Sequence, residues 1–552
     1  MKYYNFLKSV FFLFLLVCSN AISQNWEWAI GGKGYDSFDY SNAIVVDNSG
    51  NVYIAGYFQS ANLSFGTKTI ANRGKEDIFV AKFDPQGNCL WTLDFGGEEN
   101  DRATCITILG NFLIVGGYFE SQQAKFGNYT ISATLGSDVF VAVLNSSDGS
   151  LLQLKTFGGD GYDEPTYIFV DQNNNLYIAG EFSGGYIVFG ADTVKNFNYG
   201  TPYKGMSDGF LVKYSPEGNP LFAKGFGGVG NDRLNACVVD SEGMVYLYGT
   251  YNSNRMVFVD TMYNKGYSDI FLVKYDQKNN KYIWQIEISG TDKEYPASIL
   301  LSNDNYIYIT GEFQSDVLRF RDNSFTNQGS YDFFIIKLDT NGNIIKARSF
   351  GNYSDEYAKK IVQDKNGNIL IGGYFASSTL SLDDLTASNS ASDSFSDIFV
   401  AKFDPDLKPL WIQSAGGKGE DQSFAIAVDN NGNVYQTGNF ESREIFFNKT
   451  SIYNFGYSNI FLAKLNPKLP LEVDQSNNPT QELKIFPNPF EETVQIVPFE
   501  SNFAEKCQLF NPMGEIVQEF QLPGPTKIIF GNLPAGIYFI KFKNKVYTIH
   551  KI

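Results

Sequence analysis

The seven residues Val52–Phe58 (VYIAGYF) return six more times along the chain, and that recurrence confines it to architectures built by repetition. The copies read FLIVGGYF, LYIAGEF, VYLYGTY, IYITGEF, ILIGGYF and VYQTGNF. Their aligned glycines are Gly56, Gly117, Gly180, Gly249, Gly311, Gly373 and Gly438, spaced 61 to 69 residues apart. A second series opens with DIFVAKFD at Asp77 and continues from Asp138, Asp208, Asp269, Asp332, Asp397 and Asn459. Both series count seven.

Each repeat carries four β-type segments. In the first, strand a is Ala43–Val46, b is Val52–Phe58, c is Ile78–Phe83 and d is Leu90–Phe95. Asp47-Asn48-Ser49-Gly50-Asn51 separates a from b, and Asp84-Pro85-Gln86-Gly87-Asn88 separates c from d. Gly and Asn tolerate the positive φ of tight turns, and Asp folds its carboxylate onto the local backbone. These turns lack the alternating acids and closing Glu of an EF-hand, so they read as hairpin turns and not as calcium loops. Aromatic residues are 16% of the chain, a bias that suits pleated surfaces. Four short antiparallel strands, repeated seven times, describe the blades of a β-propeller.

The ends of the repeat predict how the ring closes. After the seventh c strand, Ile460–Leu465, no d strand follows, whereas an orphan d-type strand, Trp26–Ile30, opens the mature chain. The expected fold is therefore all-β. It is a seven-bladed β-propeller over residues 24–469, closed by an N-terminal strand that protects an open edge. A linker over 470–481 and a small β-sandwich over 482–552 follow.

The run GGKGYDS…AIVVDNSGNVYIAGYF…DIFVAKFD…W, in register seven times over roughly residues 26–465, resembles the secreted bacterial β-propeller repeat family. That resemblance implies a fold and no particular activity, because propellers host unrelated enzymes, receptors and scaffolds. The tail resembles the C-terminal sorting domain of the type IX (Por) secretion system of Bacteroidetes. The residues that carry this likeness are Ile485-Phe486-Pro487-Asn488-Pro489, Asn511-Pro512-Met513-Gly514-Glu515 and Leu533-Pro534-Ala535-Gly536-Ile537-Tyr538. Pro487, Asn488, Pro489, Gly514, Gly536 and Tyr538 are its signature positions, and Asn511 stands where many relatives have Asp. The resemblance implies export through the periplasm and across the outer membrane, with the type IX machinery as partner.

The N-terminus points the same way. Residues 1–23 read as a signal peptide: Lys2 and Lys8, then the apolar run Val10 to Val17, then Ala21-Ile22-Ser23, with cleavage between Ser23 and Gln24. The apolar run is too short to span a bilayer, and Val17 before Cys18 does not suit lipoprotein processing. The formal charge is −17 for the whole chain and −19 once those two lysines are removed. With no Lys/Arg cluster to offset it, such a surface repels nucleic-acid phosphates and anionic headgroups. Cys89, Cys105, Cys237 and Cys507 are far apart, and Cys105 and Cys237 share one repeat position, so they read as small buried hydrophobes.

The chemistry available is narrow. The single histidine, His550, lies in the tail, so the propeller has none for a Ser-His-Asp triad or a histidine-bound zinc. Carboxylates are regular: the GGxGxD loop entering each blade places acids at Asp36, Asp101, Asp163, Asp232, Glu294 and Asp421, and the shorter sixth loop offers Asp355-Glu356. With strand a innermost, these acids ring one mouth of the channel. Hard oxygen ligands of that kind suit Ca²⁺, while a residue repeated in every blade reads first as a turn-forming one. No other cofactor is expected. Catalysis needs two carboxylates in unlike environments, which would show as a departure from the repeat. The longest b–c connection, in blade 3, is such a departure, and its Tyr199 and Tyr203 offer flat faces to a sugar or peptide. The sequence thus favours a non-enzymatic binding or adhesion module outside the cell. The alternatives are a secreted carbohydrate-active enzyme using a carboxylate pair and a purely structural extracellular protein.

Overall fold

The computed structural model describes residues 25–200, 205–391 and 395–466, and in the tail 483–486, 493–498, 505–511, 516–522, 526–529, 533–534, 536–542 and 545–551. The signal peptide with its Ser23–Gln24 cleavage point, Tyr203, the linker 470–481, Pro487, Asn488, Pro489 and Gly514 lie outside the described residues. The chain divides into two compact units, Met1–Leu471 and Glu472–Ile552.

Every described element is a strand, and the architecture of the first unit is all-β and propeller-like. Its first sheet takes Asp39–Val46, Val52–Phe58, Asp77–Phe83 and Cys89–Phe95 in that order, each antiparallel to the next. Five further sheets repeat this order with a strands that start at Asp101, Asp163, Asp232, Glu294 and Glu356. The seventh contains Asp421–Val428, Val434–Phe440 and Asn459–Asn466, and its fourth strand is Asn25–Gly31 from the other end of the chain. That pairing matches Trp26 with Leu465 and Ile30 with Leu462, and it has an irregularity near its start like those of the other c–d pairs. Each a strand lies beside the a strand of the next sheet, and that of the seventh lies beside that of the first. There the Thr437 and Ser41 hydroxyls share a 2.8 Å hydrogen bond.

Strand c (DIFVAKF) is buried along its whole length in the first sheet, because both of its faces meet a neighbouring sheet. Each such Phe or Ile contributes about 1.5–3 kcal/mol through burial. Strand a carries a β-bulge in all seven sheets, for example between Ser41 and Ala43. The bulge explains the repeated glycine: a Cβ on Gly56 would lie 2.0 Å from the Tyr40 carbonyl oxygen. The sequence reading missed one element. The b–c connection of each repeat folds into a short hairpin, Asn62–Phe65 with Lys68–Ala71 in the first. Several of these hairpins reach the d strand of the preceding sheet, as Gly96 and Lys125 do through two backbone hydrogen bonds of 3.1 and 2.8 Å. In the fourth sheet that contact extends the sheet to six strands.

A wedge on the opposite side joins neighbouring sheets. In the first sheet Tyr53, Lys82 and Trp91 are cross-strand neighbours. Lys82 donates to the Ser146 carbonyl at 2.8 Å, and Trp91 lies against Gly149 of the next c–d turn. The Lys274/Trp284 and Lys464/Trp28 pairs repeat this against Thr340 and Pro85. In the second sheet the same three positions hold Ile114, Val143 and Gln153. A groove of 590 Å³ opens there, lined by apolar side chains such as Leu109, Leu152 and Leu176.

In the second unit, one sheet contains Leu483–Phe486, Thr493–Pro498 and Thr526–Ile529. The other contains Ile516–Leu522, Glu505–Phe510, Gly536–Phe542 and Lys545–Lys551. Ile485 and Ile496 of the first join Cys507, Leu509, Tyr538, Ile540 and Ile549 of the second in one buried cluster. Tyr538 and Lys551 both donate to the Leu533-Pro534 turn, at 2.8 and 2.6 Å, which ties the signature residue Tyr538 and the last strand to one local structure. Cys89, Cys105 and Cys237 form no disulfide; burial pushes the Cys105 and Cys237 thiols up to about 12.

Candidate functional site

The acids that begin strand a are buried and hold the loop before them. Asp101 Oδ2 accepts from the Gly97 N–H and the Ser121 hydroxyl, both at 2.7 Å, and Oδ1 accepts from the Glu120 N–H at 3.2 Å. Asp232 and Asp421 do the same with Ser253 and Ser442, Glu294 binds the Ser315 hydroxyl, and Asp163 accepts from the Gly159 N–H at 2.6 Å. One assignment is corrected and another is narrowed. In the first sheet the equivalent acid is Asp39, which accepts from the Ser60 hydroxyl at 2.7 Å, whereas Asp36 is exposed with φ +53° in a loop three residues longer. In the sixth sheet it is Glu356, which accepts from the Asn352 N–H at 2.8 Å, and Asp355 is only half-buried.

Each of these acids except Asp39 faces a second one, the first residue of the preceding c strand. A Cβ on Gly96 would lie 2.5 Å from Asp77 Oδ1 and 3.0 Å from Asp101 Oδ2, so both carboxyls press on one turn. The pairs are Asp77–Asp101, Asp138–Asp163, Asp208–Asp232, Asp269–Glu294, Asp332–Glu356 and Asp397–Asp421. Burial, and then the neighbouring acid, push Asp77 up to about 7, Asp163, Asp208 and Asp421 to about 8, and Glu356 to about 7. Asp269 and Glu294 are both raised, by burial first. Oxygens of Asp77, Asp138, Asp163, Glu294, Asp332, Glu356 and Asp397 are buried without a hydrogen-bond partner. Two buried carboxyls with unpaired oxygens retain a proton between them. At the seventh junction Asn459 replaces the c-strand acid and donates from Nδ2 to the Gly34 carbonyl at 3.0 Å, a bond an ionised carboxylate could not make. The acids are thus buried, and nearly the same in each copy.

Departures from the repeat gather in a cavity of 640 Å³ lined by the a strands. The seven bulge residues there are Asn42, Thr104, Thr166, Asn235, Ala297, Lys359 and Phe424. Asn42, Thr104 and Thr166 each donate to a carbonyl of the next a strand, Ala103, Pro165 and Leu234, at 2.9, 2.6 and 2.7 Å. Lys359 instead pairs with Glu312 at 2.7 Å. The following position holds Ala43, Cys105, Ala236, Ser298 and Ala425 in five sheets, but Tyr167 in the third and Lys360 in the sixth. The Lys360 ammonium stands 4.7 Å over the Tyr167 ring, and burial pushes its amine down to about 8. Two positions before each bulge residue stand Tyr40, Arg102, Glu164, Arg233, Tyr295, Tyr357 and Gln422. Tyr40 stacks on Tyr57 at 5.1 Å, Tyr357 meets Tyr374 at 4.9 Å, and Arg102 lies 4.4 Å over Tyr57 while paired with Glu76.

Tyr199 is exposed, with its ring over Gly185, in a loop that buried Asn196 and Asn198 anchor; the structure does not bring it together with the acids. Sequence reasoning missed Tyr167, Lys359, Lys360 and the c-strand acids. Their signal was present as a column: strand a aligned across seven copies shows one tyrosine and one lysine where the rest are small.

Residues 484–552 match the secretion system C-terminal sorting domain family. The chain is similar to a WD repeat-containing protein of Acanthamoeba polyphaga mimivirus, 23% identical over 494 residues, which covers 73% of this chain and 35% of that protein. It is also similar to the regulatory protein FlaEY of Caulobacter vibrioides, 27% identical over 115 residues, covering 21% of this chain and 12% of that one. It therefore spans about a third or less of either relative's length. Among solved structures, it matches the WD40 β-propeller domain of Doa1 with a TM-score of 0.39 at 10% identity, covering 80% of this chain and 97% of that one. A Pyrococcus horikoshii acylaminoacyl peptidase matches with a TM-score of 0.38 at 10% identity, covering 85% and 59%. Among the described residues no helix is long and apolar enough to cross a membrane. The tail, with Tyr538 and Lys551 locked onto its Leu533-Pro534 turn, is a C-terminal sorting domain of the type IX system, and the protein is secreted or displayed at the cell surface.

Proposed function

We propose that this protein is an exported seven-bladed β-propeller, closed by its own N-terminal strand, that acts as a non-enzymatic binding or adhesion module outside the cell. The observation that carries the reading is the contrast between two sets of polar residues. The acids repeat almost unchanged, are fully buried and serve the blade junctions, whereas Tyr167, Lys359, Lys360 and Phe424 depart from the repeat and line one cavity. Departures grouped on a rigid scaffold are the pattern of a ligand site. The same contrast weighs against a carboxylate-pair enzyme, because no acid pair differs from its copies in the way an acid and a base must. It weighs against Ca²⁺ at Asp101, Asp232 and Asp421 as well, since backbone N–H and serine hydroxyl donors already hold their carboxylates.

The test is a glycan array probed with the mature full-length protein, with and without calcium. Saturable binding to one glycan class, lost on Lys360→Met and Tyr167→Ala together and indifferent to calcium, supports a channel site. Binding lost only on Tyr199→Ala would move the site to the third b–c loop. Absence of binding to every glycan would overturn carbohydrate recognition.

A further inference from the structure

We infer that the channel seats an anionic group, and that the ligand is an acidic sugar whose carboxylate is held by Lys360. The inference rests on the binding reading above and names its ligand class.

Four observations converge. First, no described carboxylate, carbonyl or hydroxyl pairs with Lys360; its partner is the Tyr167 ring at 4.7 Å, while the adjacent Lys359 already has Glu312 at 2.7 Å. An ammonium left in a protein cavity with only an aromatic face is under-compensated, and an entering carboxylate restores what burial removed. Second, Asn235 lines the same cavity and its Oδ1 is buried without a partner, so an acceptor waits for a hydroxyl donor. Third, the 640 Å³ volume lies within the ~300–1,000 Å³ range of small-molecule sites. Fourth, the wall suits a sugar better than a peptide. A peptide strand would need the free carbonyls along the inner edges, and those of Ala103, Pro165 and Leu234 are capped by the bulge residues of the preceding sheets. A sugar needs scattered hydroxyl and amide partners and an aromatic face, which Asn42, Thr104, Thr166, Asn235 and Tyr167 supply. Lys360 then discriminates acidic from neutral rings.

The experiment is calorimetric titration of the mature full-length protein with galacturonate and glucuronate, with galactose and glucose as neutral counterparts, and with N-acetyl-aspartate as a carboxylate without a sugar ring. At least tenfold tighter binding of a uronate than of its neutral sugar is expected, and that preference should vanish in Lys360→Met. Methyl-¹³C labelling of the lysines gives a second readout: adding the uronate should raise the apparent pKa of Lys360, which a purely structural brace on Tyr167 would not show. Equal affinity for acidic and neutral sugars, or a uronate affinity unchanged in Lys360→Met, overturns the inference. Tighter binding of N-acetyl-aspartate than of either uronate overturns the sugar assignment. If glycans bind on the array but ignore both acidity and Lys360→Met, the binding reading survives and this one fails; if nothing binds in either assay, both fail.

Discussion

Protons decide the stability of this protein at the level of single residues. The acids at the sheet junctions are raised, chiefly by burial: Asp101 and Asp397 from near 4 to about 6, Asp163 and Asp421 to about 8. An acid whose folded value exceeds its unfolded one contributes stability that is complete below the unfolded value and lost as pH rises through the folded one. The junctions therefore weaken between about pH 4 and pH 8. Turn aspartates act in the opposite sense: Asp276, held below its ordinary value by hydrogen bonds from Asn279, loses its contribution as the medium becomes strongly acidic. Thermal unfolding followed from pH 3 to pH 9 should show a maximum on the acid side of neutrality and a decline toward pH 8. Asn459→Asp adds a seventh acid pair, so it should lower the unfolding midpoint at pH 8 and leave it nearly unchanged at pH 5. An equal loss at both pH values would show that the pairs do not share protons. The acids were legible in the sequence as repeated letters, but their pairing was not, because the two members stand about 25 residues apart and meet only where one sheet ends and the next begins.

Among the strands, the wedge of Tyr, Lys and Trp in the first, fourth and seventh sheets shows how a repeat ties copies that touch only their neighbours. Trp28 rests on Gly87 and donates its indole N–H to the Pro85 carbonyl at 3.1 Å; Trp284 treats Gly342 and Thr340 in the same way, at 3.2 Å. The second sheet lacks the wedge, and the groove against the third follows from that lack. Gln153→Trp should fill part of it and raise stability by about 1 kcal/mol, the usual yield of a cavity-filling change, read as an upward shift of the unfolding midpoint. A fall would mean that the neighbouring Lys155 and Leu152 cannot make room. The a-strand bulge belongs to this scale too. The repeated glycine was visible in the sequence, yet its cause, a carbonyl pushed toward it by the bulge, appears only when strands a and b are in register.

For the whole molecule, the N-terminal strand decides whether the seventh sheet is complete. Trp26 is buried, meets Phe447 edge-on at 5.1 Å and donates to the Ser414 carbonyl at 3.3 Å. Trp26→Ala should cost about 3–5 kcal/mol, the range for large core truncations. Removing Asn25–Gly31 altogether should leave strand Asn459–Asn466 as a bare edge and a protein that associates, measurable by light scattering. A monomer of undiminished stability would refute the clasp. The tail acts on location instead: a chain ended at Leu471 should fold but remain in the periplasm on fractionation, and its appearance outside the cell would show that residues 484–552 are dispensable for export.

The sequence by itself determined the seven repeats, the orphan strand at the start, the sorting signature at the end and the missing propeller histidine. Each is a matter of local pattern: alternation, turn residues and motif letters survive in one dimension. Only the tertiary structure decided which acids meet, that Asp39 and not Asp36 continues their series, and that Lys360 crosses to Tyr167. Those facts depend on contacts between residues tens to hundreds of positions apart, brought together by the packing of one sheet on another. A seven-copy repeat makes the average residue readable from sequence, while the exceptional one acquires its meaning from what stands opposite it in space.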